Sequence, residues 1–347
     1  MKVLVLYTRL TNYWMACMEK AVEQNGMEFL VFRDEPSDQA PFELTDLTGI
    51  KLHSNKELIG KSIQQLLSDF PADLVYVAGW SNKDYLKITL AYKKVGATTV
   101  MGMDNHWIGS LKQELASLFN YQLVRKYVDH IWIPGEPQLK FARKLGFPED
   151  RINLGLYCAD ERLFEPIQRP VKQEKFLFVG RLVKHKGLTV LFEALNQLIS
   201  EGIDFQMEIV GNGPLEGEIP QHPAIKHQPF IPPEDLPKKL AEAGVFILPS
   251  NYEAWGVVIH EAVQAGMPVI STYETGACSQ FVHSGVNGGL FRTGDSKGLA
   301  QWIRTYIAMS EESYLKQVGH SRHLSGLLRR EIWANTLNDM YLNKKGS

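Results

Sequence analysis

From its first residues the chain alternates short β-branched or aromatic runs with longer stretches whose apolar residues recur at helical spacing, a rhythm that means parallel α/β structure. Residues 3–7, 29–32, 74–78, 98–103 and 130–133 read as strands, with helical patterns between several of them. The rhythm breaks at a polar stretch, residues 165–174, which holds Pro166 and Pro170 among several charges. It restarts with strands over 176–179, 206–210, 245–248 and 269–271. A chain of 347 residues exceeds what one core usually organises, so two α/β units in tandem follow. Their predicted spans are 1–164 and 165–324, with a helical tail over 325–347. In the tail Ile332, Trp333, Leu337, Met340 and Tyr341 are apolar at helical spacing, which predicts a helix packing back on the first unit.

Charge and cysteine content exclude several classes of function. Lys and Arg number 37 against 39 Asp and Glu, a net charge of −2 with no basic half, so nucleic acid is not the expected partner. Cys17, Cys158 and Cys278 lie far apart, which supports neither a disulfide framework nor a zinc site and fits a reducing cytoplasm. The apolar start, residues 1–7, is too short for a signal-peptide core, and no apolar run approaches the ~20 residues that span a bilayer. Membrane contact would therefore be peripheral. One stretch invites it: over 111–127, Lys112, Arg125 and Lys126 stand beside Leu115, Leu118, Phe119 and Leu123. Such a helix lies on an anionic surface or turns its apolar face to the core, and the sequence leaves both readings open.

Two strand ends carry the chemistry. The strand at 176–179 stops at Gly180 and leads through Arg181 and Lys186 into a leucine-rich helix. Ligands of open α/β sheets sit at that end of the strands. Gly180 permits close backbone approach, a helix N-terminus is electropositive, and Arg181 and Lys186 reach a dianionic group as a fork and a point charge. A diphosphate is the natural guest; a solvated basic turn is the plain alternative. The strand at 245–248 leads through Pro249 and Ser250 to Glu253, Trp255, Gly256, Val257, Val258 and Glu261. If a helix opens at Trp255 or Gly256, Glu253 lies in the loop before it and Glu261 one to two turns in. The first N–H groups, from Trp255 to Val258, then add affinity for an anion. Carboxylates accept hydrogen bonds and vicinal diols offer paired donors, so the two acids suit a sugar and a ribose.

The stretch from Glu253 to Glu261 resembles the E-x7-E signature of the retaining glycosyltransferases of family 4, which have the GT-B fold. Gly180-Arg181 with Lys186-Gly187, then Gly211-Asn212-Gly213-Pro214, then Gly285-Val286-Asn287-Gly288 with Leu290 are similar to further blocks of that family in the same order. Asp160 with Leu163, Phe164 and Pro166 resembles the segment that closes the family's first domain. The likeness covers residues 155–292. Two departures stand out. The first β–α turn reads Thr8-Arg9-Leu10-Thr11-Asn12 where relatives commonly carry a glycine pair, and Gly276-Ala277-Cys278-Ser279-Gln280 has glutamine for the family's acid.

The resemblance implies two Rossmann-like α/β domains facing across a cleft, the first binding an acceptor and the second a nucleoside-diphosphate sugar. It implies that Arg181 and Lys186 contact the diphosphate, Glu261 the ribose and Glu253 the transferred sugar, with Gly180, Gly211, Gly213, Trp255, Gly256, Val257 and Val258 also at the donor. A histidine after the fourth strand would face the donor sugar; His106 is that histidine, with Asp104 and Asn105 as rivals, and Asp104 and His106 are the residues expected to line the site. The implied reaction moves a hexose-type sugar with its anomeric configuration kept, using no metal and no cofactor beyond the nucleotide sugar as co-substrate. The acceptor would be a sugar or lipid-linked sugar, and the setting surface polysaccharide or glycolipid synthesis at the inner face of the membrane. A nucleotide-sugar 2-epimerase or phosphorylase on the same fold, or a catalytically silent nucleotide-sugar-binding subunit, are the rival readings. A nicotinamide-dependent dehydrogenase is remote, because no G-x-G-x-x-G follows the first strand.

Overall fold

A β-branched run that is apolar on both faces belongs inside a parallel sheet covered by helices on each side, and the central strands of this protein are built so. The computed structural model describes residues 1–35, 44–58 and 61–345, apart from the side chains of residues 112, 116, 119–123, 344 and 345. It divides into two units, Met1–Cys158 with Leu328–Ser347, and Ala159–Leu327.

The first unit holds strands β1 (Lys2–Leu6), β2 (Glu28–Arg33), β3 (Ile50–Ser54), β4 (Leu74–Ala78), β5 (Thr98–Gly102), β6 (His130–Trp132) and β7 (Ile152–Asn153). All pair in parallel, in the order β3-β2-β1-β4-β5-β6-β7. Helices α1 (Asn12–Asn25), α2 (Ile63–Asp69), α3 (Lys83–Lys94), α4 (Leu111–Tyr127) and α5 (Leu139–Lys144) connect them. The second unit holds β8 (Lys175–Val179), β9 (Gln206–Val210), β10 (Ile225–Gln228), β11 (Val245–Leu248), β12 (Val269–Thr272) and β13 (Gly288–Phe291), parallel in the order β10-β9-β8-β11-β12-β13. Its helices are α6 (Glu161–Phe164), α7 (Leu188–Ser200), α8 (Leu236–Ala241), α9 (Val257–Gln264), α10 (Cys278–Phe281), α11 (Ser296–Ala308) and α12 (Glu311–Ser325).

The last helix, α13 (Arg330–Lys345), belongs to the first unit and packs along α1. Trp333, Leu337 and Met340 form its buried face, while Ile332 stays 41% exposed. The Trp333 ring stands edge-on to Trp14 at 5.1 Å and tilted on Trp132 at 4.9 Å, and its indole N–H donates to the Leu156 carbonyl at 3.0 Å.

Two expectations are corrected. The joint expected over 165–174 lies at Cys158–Ala159, because α6 packs on α9 and so belongs to the second unit. The return crossing falls at 327–328, and α12, which the helical reading of the tail passed over, precedes it. Helix α4 begins at Leu111, its first turn set by the Ser110 hydroxyl accepting from the Gln113 N–H. No described helix is long and apolar enough to cross a membrane.

Candidate functional site

In each sheet the strand order reverses beside the first strand of its unit, between β1 and β4 and between β8 and β11. Such a switch point leaves a crevice outside the carboxyl ends of its two strands. In the second unit those ends carry Gly180–Lys186 and the loop that leads to Glu253.

The loops at this place are locked by backbone. The Leu182 N–H donates to the Asn212 carbonyl at 2.8 Å, and the Leu215 N–H to the Leu182 carbonyl at 3.1 Å. A Cβ on Gly211 would stand 2.0 Å from the Gly180 oxygen, and one on Gly213 would stand 2.4 Å from that of Leu182. The two glycines let the turn after β9 seat against the turn after β8. Gly187, at φ +70°, opens α7, and a Cβ there would lie 1.8 Å from the Pro249 carbonyl oxygen.

Asn251, which sequence reasoning passed over, clamps the two key loops. Its N–H donates to the His185 carbonyl at 2.8 Å and its amide to that of Lys184 at 3.2 Å. The clamp brings the Lys186 ammonium into an ion pair with the Glu253 carboxylate, both side chains largely shielded from solvent. Arg181 is exposed beside them in sequence. Partial burial, then the Lys186 charge, hold the His185 imidazole below its ordinary range.

The loop carrying Glu253 is backed by the turn after β12. The Glu253 N–H donates to the Glu274 carbonyl at 3.2 Å, the Gly276 N–H to that of Glu253 at 3.0 Å, and the Ala277 N–H to that of Trp255 at 2.8 Å. The 276–280 block thus serves as a strut for the acidic loop. Gly256, at φ +88°, caps α9, whose first-turn N–H groups at Val257 and Val258 no helical carbonyl precedes. The Trp255 ring is buried at 2% exposure against Phe281, so only its backbone is offered to a ligand. Glu261 lies one turn into α9, half-buried, and burial alone pushes its carboxyl up to about 7. An acid destabilised by burial with no compensating charge is a frequent mark of a functional position.

The block at 285–288 has a structural account: the Asn287 side chain, fully buried, accepts from the His283 N–H at 2.8 Å and donates to the Phe281 carbonyl at 2.9 Å. After β10, Phe230 is half exposed, its N–H donating to Asn212 Oδ1 at 2.8 Å.

The first unit has a cavity of about 400 Å³ at its own switch point, bounded by Thr8, Arg9, Trp80, Ser81 and Asp104 and by four tyrosines. Tyr7 and Tyr76 stack at 6.0 Å, and Tyr13 meets Tyr157 edge-on at 5.9 Å. The Tyr157 hydroxyl donates to Asp104 Oδ2 at 3.1 Å, and the buried Gln138 amide donates to the Asp104 carbonyl at 3.0 Å. Burial foremost, with the Asp104 carboxylate contributing, keeps Tyr7, Tyr76 and Tyr157 well above the ordinary phenol range. They are neutral donors, suited to hydroxyl-rich ligands. Gly102 makes room for this arrangement, since a Cβ there would stand 1.9 Å from the Tyr76 hydroxyl. Asp104 lines the cavity and His106 does not; the His106 carbonyl accepts from the Gln113 amide at 2.7 Å. The tyrosines lie on four separate segments, so no local motif announces them.

Two parallel α/β units, each with polar groups gathered at its switch point, define the class of fold. Residues 159–319, which fall in the second unit, match the family described as glycosyl transferases group 1. The fold as a whole is GT-B. It is similar to Anabaena HepE in complex with UDP, with a TM-score of 0.74, 17% identity, and 98% of this chain and 99% of that one covered. It is similar also to sucrose-phosphate synthase from Thermosynechococcus elongatus, with a TM-score of 0.75, 16% identity and coverage of 99% and 98%. In sequence it resembles the amylovoran biosynthesis glycosyltransferase AmsK of Erwinia amylovora, 28% identical over 274 residues, 71% of this chain and 64% of AmsK. The capsular polysaccharide biosynthesis glycosyltransferase CapM of Staphylococcus aureus is 28% identical over 213 residues, 57% of this chain and 54% of CapM. The matches span about half to two thirds of the length of these relatives.

Proposed function

We propose that the protein is a retaining, metal-independent hexosyltransferase that moves a sugar from a nucleoside diphosphate to the hydroxyl of a sugar or lipid-linked sugar, in surface polysaccharide or glycolipid synthesis. One observation carries the reading: the Lys186–Glu253 pair stands at the switch point of the second unit, on the loop that opens the helix bearing Glu261. HepE, whose fold this chain shares, is described in complex with UDP, and AmsK and CapM are named for polysaccharide biosynthesis.

On this reading Arg181, Lys186 and the first turn of α9 take the diphosphate, Glu261 takes the ribose diol, and Glu253 orients the transferred sugar. Gly180, Gly211 and Gly213 let the backbone of the strand ends approach it. Cleavage of the anomeric C–O bond leaves positive charge on the sugar and negative charge on the departing phosphate. Arg181 and Lys186 stabilise the latter, a role that otherwise falls to a metal. The leaving phosphate then takes the acceptor's proton as the acceptor oxygen bonds to the same face of the anomeric carbon. Asp104, set by Tyr157, holds acceptor hydroxyls in the first unit, and His106, outside that cavity, is the candidate to face the donor sugar. The reaction takes place in the cytoplasm, with the protein held peripherally at the inner face of the membrane.

Donor-dependent melting shifts across a panel of nucleotide sugars test the first half. A shift with one or two sugars, lost in Lys186→Ala, is expected; no shift with any of them overturns it. NMR of the product's anomeric centre tests the second, and inversion overturns the mechanism. Change of the free nucleotide sugar without acceptor would point to an epimerase instead.

A further inference from the structure

Helix α4 turns its apolar residues outward. Leu111, Leu115 and Leu118, spaced to share one helical face, are 82%, 55% and 73% exposed, and Ile108 just before the helix is 68% exposed. The opposite face, through Val124, enters the core of the first unit. The choice left open by the sequence is thus settled against a core-facing stripe for these leucines; the side chains of Lys112, Phe119 and Leu123 lie outside the described residues.

We propose that this face docks on an anionic lipid surface, which deepens the peripheral membrane contact in the functional reading and rests on it only for its purpose. Charge selects the occupant. Arg125 and Lys126, in the last turn, continue the leucine face and are exposed. Glu114, in the first turn, is matched by Lys144 at 3.7 Å. Apolar side chains that enter the acyl boundary, followed along one face by cations at headgroup level, are the pattern of helices lying in a membrane interface. The loop ahead of the helix travels with it: Gln113 donates to the His106 carbonyl at 2.7 Å and accepts from the Ile108 N–H at 2.8 Å. A second copy of the chain fits less well. Four aliphatic side chains offer at most ~500 Å² of apolar area, short of the ~800 Å² per partner that a stable interface buries.

Co-sedimentation with vesicles of phosphatidylcholine and about one third phosphatidylglycerol tests the proposal. The full chain is expected to sediment with these vesicles and not with phosphatidylcholine alone. Leu115→Glu with Leu118→Glu should lower the bound fraction about tenfold, and Arg125→Gln with Lys126→Gln should weaken binding and flatten its salt dependence. The nucleotide-sugar shift should stay at wild-type values in both variants and the melting temperature in the leucine variant, whose side chains face solvent; Arg125→Gln also removes the 3.3 Å hydrogen bond from the guanidinium to the Gly146 carbonyl and should lower the melting temperature slightly. Equal sedimentation of the leucine variant, or none by the wild type, overturns the proposal. So does a wild-type dimer in sedimentation velocity that the leucine variant dissolves, which would assign the face to a second copy. Lys186→Ala should lose the nucleotide-sugar shift yet still bind vesicles, so failure of the donor site and failure of the lipid face are read separately.

Discussion

Lys186 and Glu253, held by loops from neighbouring strands, satisfy each other's charge at the switch point of the second unit. On the proposed reading a diphosphate would compete with Glu253 for the ammonium, coupling phosphate binding to release of the acid toward the sugar. Removing either partner should therefore have opposite effects on nucleotide binding. Glu253→Ala is expected to keep or modestly raise affinity for the nucleoside diphosphate while lowering turnover about 10²–10³-fold. Lys186→Ala leaves the carboxylate facing the phosphates and should weaken binding by at least about tenfold. Calorimetry beside a turnover assay separates the two, and parallel losses in both variants would refute distinct roles.

Glu261 gives a pH dependence with a defined sign. Its carboxyl in the folded chain sits near 7, above the ordinary value of 4.5, so the folded state holds a proton that the unfolded state has released. The stability contributed by this group is present at low pH and is lost as pH rises from about 4.5 through about 7. A ribose diol prefers the carboxylate, so nucleotide binding should strengthen as pH rises through about 7 and release a proton near that pH. Titration in buffers of different ionisation enthalpy measures the proton, and Glu261→Gln should abolish the release.

Gly187 tests the loop lock directly. Alanine there needs a left-handed backbone and places a Cβ at 1.8 Å from the Pro249 oxygen. A loss of about 2–5 kcal/mol is expected, seen as a lower melting temperature, whereas Gly202→Ala has open space and should cost only the strain of its backbone angle.

In the first unit, Asp104→Asn and Tyr157→Phe should lower transfer without altering the nucleotide-sugar melting shift. Tyr157→Phe keeps the ring against Tyr13 and removes only the hydroxyl that donates to Asp104 at 3.1 Å. A lost donor shift in either variant would reassign the cavity.

What the sequence revealed follows from where each strand lies. The inner strands, covered on both faces, are dense apolar runs and could be read directly. The four that were not anticipated, β3, β7, β10 and β13, are the edges of the two sheets. Edge strands such as Ile225–Gln228, with Lys226, His227 and Gln228, carry polar residues that mask the pattern. The groups proposed for the donor side could be picked out because Arg181, Lys186, Glu253 and Glu261 fall in two short segments at strand ends. The tyrosine-lined cavity was not, since Tyr7, Tyr13, Tyr76 and Tyr157 meet only through the sheet. Asn251 was missed because a clamp between two loop carbonyls leaves no spacing to recognise.

The chain leaves the first unit after Cys158 and re-enters it at Leu328, with the second unit threaded between. During synthesis, therefore, the unit begun earlier is finished later: the Trp333 ring that covers Trp14 and Trp132 arrives only with α13. The inserted domain is a single continuous segment and has all its strands before then. A premature stop near residue 327 would spare the inserted unit's sequence and leave the other without its closing tryptophan, so truncated products should fail first in the unit that the ribosome began earlier.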